Sequence, residues 1–85
     1  MFSLYILKSL KDDNLYIGST NDLKRRLGEH NSGKVESTRF RRPLKLVYAE
    51  AYSVEDEARK REHNLKLRAK VWKQLSLRIK KSLAS

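Results

Sequence analysis

Five polar residues that could take part in catalysis are spaced so that they should lie on one side of the expected fold. They are Tyr5, Tyr16, Arg26, His30 and Glu62. An arginine holds phosphate oxygens through its planar guanidinium, and a single glutamate suits Mg²⁺, which keeps several of its waters. A tyrosine hydroxyl ordinarily titrates at about 10, so Tyr5 or Tyr16 would act as a base only where nearby cations lower its pKa. These types are suited to chemistry on a phosphate group.

Each of the five also has an ordinary structural explanation. Tyr5 and Tyr16 are common strand residues, favoured for packing and β-propensity. Arg26 follows two other basic residues and could be surface charge. His30 could interact with the dipole at a helix C-terminus, and Glu62 could form a solvated ion pair at helical spacing. None of them alone identifies an active site.

A hairpin should position the two tyrosines. Residues 2–7 are apolar and aromatic and predict one strand, and residues 15–18 predict the second after a polar turn. Because side chains alternate along a strand, Tyr5 and Tyr16 share one face, while Leu4, Ile6, Leu15 and Ile17 take the other. Gly18 belongs to the tyrosine face, where its missing side chain leaves room for another group to approach.

A helix should follow the hairpin. Thr20 or Asn21 can cap it, and it should run to about Ser32, where a glycine stops it. Arg26 and His30 are four residues apart, so they project from one side of this helix, beside its apolar stripe.

The segment after the first helix should place Glu62 on a second helix. Residues 34–42 predict a basic loop, and residues 44–49 predict a third strand. The sequence Ser53-Val54-Glu55-Asp56 matches a capping box, which predicts the start of a second helix. On a helical wheel Glu62 falls at the edge of the inner stripe of this helix, so its carboxylate should be half buried.

From Arg68 to the end, another amphipathic helix is expected, with a basic outer face and no acidic residue after Glu62. Trp72 either closes the core or, with Leu75 and Ile79, forms a face for attachment to another molecule. The basic face could serve as a second phosphate-binding surface.

Size and charge limit the function classes. Eighty-five residues make one domain, with a core of about residues 2–66 and a helical extension of about residues 68–83. There is no cysteine, so disulfides and thiolate metal sites are excluded, as suits a cytoplasmic protein. No run approaches transmembrane length, and no membrane partner is expected. The net charge of +10 favours a nucleic-acid partner.

The ordered set of residues resembles the GIY-YIG nuclease family. The resemblance is carried by Ser3-Leu4-Tyr5 and Tyr16-Ile17-Gly18, followed by Arg26, His30 and Glu62. The first motif departs from Gly-Ile-Tyr at two positions but keeps the tyrosine. The C-terminal asparagine of many members has no clear counterpart, because Asn64 follows the glutamate too closely and Gln74 is the only amide in the comparable region. The remaining matches are Asn31-Ser32-Gly33-Lys34, Thr38, Arg42-Pro43, Leu46-Val47-Tyr48, Glu57 to Arg61 and Leu65-Lys66.

This resemblance implies an α+β fold with a three-stranded antiparallel sheet flanked by helices. It implies a metal-dependent endonuclease that hydrolyses phosphodiester bonds in DNA with low intrinsic sequence specificity. Tyr5, Tyr16, Arg26, His30 and Glu62 would be catalytic, and Glu62 would bind one Mg²⁺ or Mn²⁺. Whether Tyr5 or His30 is the general base stays open at this point. The alternative is a DNA- or RNA-binding domain of the same fold that does not cut.

Binding to nucleic acid should rest mainly on phosphate contacts. The DNA could be branched or single-stranded, RNA is an alternative, and a protein partner could supply specificity. The side chains expected to contact phosphates are Lys34, Arg39, Arg41, Arg42, Lys66, Arg68, Lys70 and Lys73.

Overall fold

The computed structural model describes all residues, 1–85. The strands are β1 (Phe2–Ser9), β2 (Leu15–Thr20) and β3 (Leu44–Tyr52), and they form one antiparallel sheet in the order β2-β1-β3. The helices are α1 (Leu23–Asn31), α2 (Glu55–Leu67), α3 (Ala69–Arg78) and α4 (Lys80–Ala84), with a 3₁₀ helix at Glu36–Arg41 between α1 and β3. The expected α+β class with a three-stranded antiparallel sheet is confirmed.

The register of the hairpin follows the alternation of its side chains. Ile6 lies opposite Ile17, and Tyr5 lies opposite Gly18. Tyr16 pairs with Leu7 instead, so the two tyrosines share a face as diagonal neighbours. The central strand β1 carries Tyr5 and therefore places it in the middle of the sheet, with β2 forming one edge.

Helices cover both faces of the sheet. On one face Leu4 and Ile6 form the main core with Leu65 of α2 and with Leu75 and Ile79. Because the last two come from the basic C-terminal segment, this segment completes the core. Trp72 also packs against this cluster.

The other face of the sheet carries a smaller core. Tyr5, Leu7 and Leu44 are buried there, and Leu23 and Leu27 of α1 pack against them.

The start of α1 differs from the expected one. Asp22 is the N-cap, and its carboxylate accepts a hydrogen bond from the backbone N–H of Arg25 at 3.0 Å. Thr20 instead accepts from the N–H of Asp22, so neither it nor Asn21 caps the helix. Asparagine and aspartate are nearly equal as caps, and the turn geometry decides between neighbours.

The capping box before α2 does not form. Val54 occupies the N-cap position, and no side chain caps this helix end. Three acidic residues, Glu55, Asp56 and Glu57, fill the first turn instead, where their charge interacts favourably with the helix dipole. The helix therefore starts close to the predicted residue for a different physical reason.

Three further boundaries differ from expectation. The third strand continues to Tyr52 and pairs with β1 except at Val47, where the register shifts by one residue. The expected loop at residues 34–42 contains the 3₁₀ helix, in which Thr38 is buried. The C-terminal helix is interrupted at Ile79, between α3 and α4. None of the helices is long and apolar enough to cross a membrane.

A charged cluster fastens α2 to β3 on the main-core face. Glu50 accepts two hydrogen bonds from the Arg61 guanidinium, at 2.9 and 3.1 Å, and one each from the hydroxyls of Tyr48 and Tyr52. Burial acts to raise the pKa of Glu50, but these hydrogen bonds outweigh it and hold the pKa below its ordinary value. Burial and the Glu50 charge together raise the pKa of Tyr52 to about 12.

Replacing Glu50 with glutamine should lower the free energy of unfolding at pH 7 by about 2 kcal/mol, because Arg61 would lose its charged partner in a partly buried site. A carboxylate with a lowered pKa stabilises the fold above its ordinary value of 4.5 and loses that contribution as the pH falls through its folded pKa. Urea unfolding at pH 7 and pH 3 should therefore show a difference between the two proteins that shrinks in acid. An unchanged difference, or an equal effect of Glu36→Gln at an exposed position, would contradict this account.

Candidate functional site

The C-terminal end of α1 is held against β3. The side-chain amide of Asn31 donates to the carbonyl of Leu44 and accepts from its N–H, at 2.9 and 2.7 Å. After the helix, the N–H of Lys34 bonds back to the carbonyl of Glu29, and Gly33 takes a positive φ of 82° that glycine adopts without strain. These contacts fix the last turn of α1, which carries His30.

His30 lies inside the protein, between the tyrosine face of the sheet and the 3₁₀ helix. It is 0% exposed, its Nε2 is 2.9 Å from the Tyr5 hydroxyl, and its Nδ1 is 2.8 Å from the Thr38 hydroxyl. Its ring meets the Tyr16 ring edge-on, with 4.9 Å between centroids. The histidine thus joins both tyrosines to the 3₁₀ helix rather than facing solvent at the helix end.

The environment of the cluster determines which groups are charged. Burial, followed by the nearby Arg26, lowers the pKa of His30, with Glu29 opposing weakly. The imidazole is therefore neutral at pH 7. Burial raises the pKa of Tyr5 and outweighs the lowering by hydrogen bonding to Arg26. Arg26 alone therefore does not lower the pKa of Tyr5 below its ordinary value, which is the condition that the sequence set for a tyrosine base.

Arg26 is placed between the cluster and solvent. Its guanidinium interacts with the Tyr5 hydroxyl, which raises the pKa of Arg26, and it donates to a Glu29 carboxylate oxygen at 3.1 Å. Arg25 approaches the same carboxylate at 3.8 Å. The Arg26 side chain is one-third exposed, so part of its guanidinium faces solvent.

Glu62 reaches the β2 edge of the sheet from the side of α2, which packs on the other face, so it does not share the tyrosine face with Arg26 and His30 as the sequence suggested. The Ser19 hydroxyl donates to one carboxylate oxygen at 2.6 Å, and the Lys66 ammonium donates to the other at 2.6 Å. The side chain of Glu62 is 24% exposed, as the helical wheel predicted. Lys66 also lies 5.8 Å from the centroid of the Tyr16 ring and so links the glutamate to the tyrosine face.

Two adjoining concavities connect these groups at the end of β2. The first has a volume of about 340 Å³ and is lined by polar residues, including Ser19, Arg26 and Arg59. The second contains Ser19 and Arg59 again, together with Glu62 and Lys66. Because they share two lining residues, the two concavities adjoin, and together they are called the cleft here; Arg26 lines the first and Glu62 the second.

Gly18 does not leave room for a phosphate, as the sequence suggested. A Cβ atom at this position would lie 2.5 Å from the Tyr5 hydroxyl oxygen and 2.6 Å from its Cζ. The ring of Tyr5 itself fills the space above the glycine. The open space lies farther along, beyond the end of β2.

Of the eight basic residues expected to contact phosphates, Arg41 is the clearest exception. Its guanidinium pairs with Asp12 at 3.2 Å and also donates to the carbonyl of Leu15, and its side chain is only 23% exposed. It fastens the 3₁₀ helix to the β1–β2 turn. Lys66 is paired with Glu62, and Arg42 donates to the carbonyl of Arg39. The exposed ones are Lys34, Arg39, Arg42, Lys66, Arg68, Lys70 and Lys73.

Sequence reasoning assigned no role to Thr38, Ser19 or Glu29. Thr38 belongs to a stretch without hydrophobic periodicity, so its burial could not be inferred. Ser19 could have been found, because it follows Gly18 at the end of a strand and alternation places it on the α2 side. Glu29 lies three residues after Arg26, a spacing at which helical side chains interact.

Comparisons with known proteins show which family the chain belongs to. A family model described as the GIY-YIG catalytic domain matches residues 1–74. The protein YazA of Bacillus subtilis, named UPF0213, is 38% identical over 92% of this chain and 79% of its own length. A UPF0213 protein of Bacillus pumilus is 48% identical over 73% of this chain. The matched region spans 63% of that relative's length.

A solved structure is similar as well. The solution NMR structure of a UPF0213 protein from Bacillus halodurans matches with a TM-score of 0.53 and 38% identity, covering 91% of this chain and 85% of that one. The matched residues 1–74 include both tyrosines, Arg26 and Glu62. The chain therefore belongs to the GIY-YIG family of nucleases, alongside the small proteins named UPF0213.

Proposed function

We propose that this protein is an endonuclease that hydrolyses phosphodiester bonds in DNA with low intrinsic sequence specificity. The observation that carries the proposal is the cleft at the end of β2. Arg26 lies on one of its walls and Glu62 on the other, and Ser19 and Arg59 lie between them. A pure binding surface needs no carboxylate among cations, whereas hydrolysis of a phosphodiester needs both types of group.

The residues of the cleft fit one divalent ion of the Mg²⁺ or Mn²⁺ type. No group of three or more histidine, cysteine or acidic side chains is gathered into a metal cage anywhere in the chain. Mg²⁺ requires no such cage, because it retains waters and completes its octahedron with substrate phosphate. Glu62 would bind the ion through the carboxylate oxygen that accepts a hydrogen bond from Lys66 in the free protein. When bound, the ion would neutralise charge that develops on the phosphoryl oxygens.

Arg26 would bind the phosphate whose bond is broken. In the free protein its guanidinium shares contacts with Glu29 and Tyr5, so a phosphate oxygen must compete with Glu29 for its outward donors. A phosphate dianion or diester accepts bidentate hydrogen bonds that compensate for this exchange. Arg26 then supports the oxygens on which charge accumulates in the transition state.

Tyr5 is the candidate to receive the proton of the attacking water. Tyr5 must first release its own proton to become a phenolate. The water oxygen then forms a bond to phosphorus while the bond to the leaving oxygen breaks, the phenolate takes one proton of the water, and the leaving oxygen takes a proton from solvent. Tyr5 is only 1% exposed, so we infer that Arg26 must move toward the phosphate to uncover it. Tyr16 is half-buried and packs beside it, with 6.3 Å between ring centroids, where it keeps the other side of the cluster closed.

The exposed basic residues would hold the DNA without reading its sequence. Phosphate contacts fix position but carry no sequence information, and their strength falls steeply with salt. The net charge of +10 supports association with single-stranded or branched DNA, or with RNA, and a protein partner would supply specificity. Specific recognition would need side chains directed at base edges.

One observation favours a second candidate, a domain that binds nucleic acid without cutting it. The free protein keeps the Tyr5 hydroxyl covered and both Glu62 oxygens occupied by protein donors. If nucleic acid failed to open these contacts, the site would stay closed and the basic surface would still bind.

Replacing Tyr5 with phenylalanine should separate the two candidates. We expect the wild type to cut supercoiled, single-stranded or branched DNA with Mg²⁺ or Mn²⁺ and not with chelator. The variant should lose about 10²–10⁴-fold in rate, the usual contribution of a general base, while binding DNA with wild-type affinity in a gel-shift or anisotropy assay. Tyr52→Phe is the matched control, because its hydroxyl contacts Glu50 on the other side of the sheet.

Three results would count against the endonuclease. The wild type could cut none of these substrates or RNA, the metal could make no difference, or the Tyr5 and Tyr52 variants could be equally active. Binding that persists without any cleavage would favour the second candidate. That binding should weaken steeply between 50 and 200 mM salt, on the order of 10³-fold where several phosphates are contacted.

A further inference from the structure

Phe40, in the 3₁₀ helix, is the most exposed aromatic residue of the chain. It is 73% exposed, whereas the other six aromatic residues are buried or half-buried. It belongs to neither of the two cores. A single exposed apolar side chain is common on protein surfaces, so its surroundings decide whether it has a function.

The backbone that carries Phe40 is held in place by hydrogen bonds. Three consecutive carbonyls, those of residues 39, 40 and 41, accept from the side chains of Arg42, Lys11 and Ser9, at 2.8, 3.1 and 2.7 Å. Thr38, two residues earlier, is fully buried. The exposed ring therefore stands on a fixed support, and ordering this segment against a ligand costs little conformational entropy.

Positive charge surrounds the ring of Phe40. The guanidinium carbon of Arg39 lies 4.9 Å from the ring centroid, so Arg39 covers one face of the ring, while the high exposure of Phe40 leaves the other face open. Arg42 and Lys11, which bond to this backbone, are exposed as well. The only acidic residue of the helix is Glu36, at its first position. A ligand of this surface should therefore combine a flat apolar group with negative charge.

Three kinds of partner could cover an exposed ring. A stable protein interface buries about 800 Å² on each side, which one ring among cations does not provide. Attachment to a membrane needs several apolar side chains on one face, and Phe40 is the only apolar residue of this helix. An unpaired nucleobase is flat, stacks on aromatic rings and has a neighbouring phosphate that arginine binds. The surface therefore fits single-stranded nucleic acid best.

The position of Phe40 separates this surface from the cleft. The guanidinium of Arg41, the next residue, donates to the carbonyl of Leu15 at 3.4 Å, so the 3₁₀ helix ends beside the start of β2. The cleft lies at the other end of that strand, which is about 17 Å long at about 3.4 Å per residue. A base stacked on Phe40 therefore lies outside the cleft and takes no part in bond breaking.

We propose that Phe40 and Arg39 form a stacking site for one unpaired base of single-stranded DNA or RNA, with a neighbouring phosphate bound by Arg39 and Arg42. Every base has a π face, so the site selects unpaired strands without selecting their sequence. A base inside a duplex is already stacked and paired and cannot cover the ring. The site goes beyond cleavage and rests only on the nucleic-acid binding that the proposed function includes.

Replacing Phe40 with leucine tests the site, because leucine is apolar but has no π face. Binding is measured by fluorescence anisotropy, with chelator so that nothing is cut, on a labelled oligothymidylate of about 12 nucleotides, within the site sizes of single-strand binding domains. The Kd should rise about 5- to 100-fold, the contribution of one stacked base. The Kd for a duplex of the same length should change by less than about twofold, because its phosphates are still bound.

Matched controls isolate stacking from charge and from folding. A strand of the same length with abasic sugars keeps the phosphates, so the wild type and Phe40→Leu should bind it equally. Phe40→Trp keeps a stacking ring and should keep the wild-type Kd, with quenching of the added tryptophan emission on binding. Leu77→Ala removes an apolar residue that is 65% exposed on α3 and should leave every Kd unchanged. Oligouridylate in place of oligothymidylate distinguishes RNA from DNA as the source of the base.

The stacking site is overturned if Phe40→Leu leaves the Kd for single strands unchanged, or weakens binding to the duplex and the abasic strand equally. It is also overturned if the substitution acts instead on binding to anionic lipid vesicles or on self-association of the chain. Failure of the proposed function is a separate result. If single-strand binding depends on Phe40 but no nucleic acid is cut, the stacking site stands and the endonuclease assignment fails. If DNA is cut while Phe40→Leu binds normally, only the stacking site fails.

Discussion

Replacing Glu62 with glutamine should reduce the rate of DNA cleavage by at least about a hundredfold and should remove the divalent ion from the cleft. An amide of nearly the same shape can still accept from the Ser19 hydroxyl, as the carboxylate does at 2.6 Å. It lacks the charge that holds a divalent cation. The free energy of unfolding should change by less than about 1 kcal/mol, because the Lys66 pair that is lost is partly exposed. DNA binding should stay the same or strengthen.

Two measurements check this prediction. Mn²⁺ bound to the protein can be counted by the loss of the free-ion signal in electron paramagnetic resonance, and cleavage can be followed on supercoiled DNA. Glu57→Gln is the matched control, since it makes the same charge change on the same helix and Glu57 contacts neither Ser19 nor Lys66. Equal Mn²⁺ binding by both variants would show that Glu62 does not bind the metal ion.

The location of the cleft groups could be predicted because it depends on two regular periods. Alternation along the hairpin placed Tyr5 and Tyr16 on one face, and the 3.6-residue period placed Glu62 at a half-buried edge of α2. The same helical period brought Arg26 and His30 to one side of α1. These predictions need only the local geometry of strands and helices, which the sequence specifies directly.

The features that could not be predicted depend on side-chain packing, which the local geometry of the backbone does not determine. The Tyr5 ring lies over Gly18, which neither the glycine nor the tyrosine reveals alone. Arg41 turns inward to Asp12 instead of outward, because a long side chain can reach several partners and the fold selects one. Thr38 sits in a 3₁₀ helix too short to show a hydrophobic period.

The pKa values show a related limit. A nearby cation such as Arg26 can lower the pKa of a tyrosine, yet burial of Tyr5 outweighs that influence and its pKa is raised. The sequence contains the charges but not the desolvation, which depends on how completely the ring is covered. To act as a base, Tyr5 therefore needs its charged form to be stabilised further during the reaction.

Gly18→Ala should be among the most damaging single substitutions in the chain, although it adds only one methyl group. That methyl would lie 2.5 Å from the Tyr5 hydroxyl oxygen and 3.1 Å from Cε1 of Tyr16. Both rings are packed against His30, so the methyl must push the Tyr5 hydroxyl away from Nε2. Overpacking of this kind costs about 1–3 kcal/mol, and a displacement of about 1 Å at a reacting group can lower the rate about 10²-fold.

The chain offers a matched control for this substitution. An added Cβ at Gly28, within α1, meets nothing within 4 Å, so Gly28→Ala should stabilise the fold by about 0.5–1 kcal/mol and leave cleavage unchanged. Urea unfolding and cleavage assays on both variants test the contrast. In a double variant, Tyr5→Phe should relieve part of the stability loss of Gly18→Ala, because it removes the nearest clashing atom, and the two effects should be less than additive. Strict additivity, or wild-type stability and activity for Gly18→Ala, would show that Tyr5 is not held against the glycine. Tyr5 would then be free to move, and its hydrogen bond to His30 would no longer be the contact that orients it.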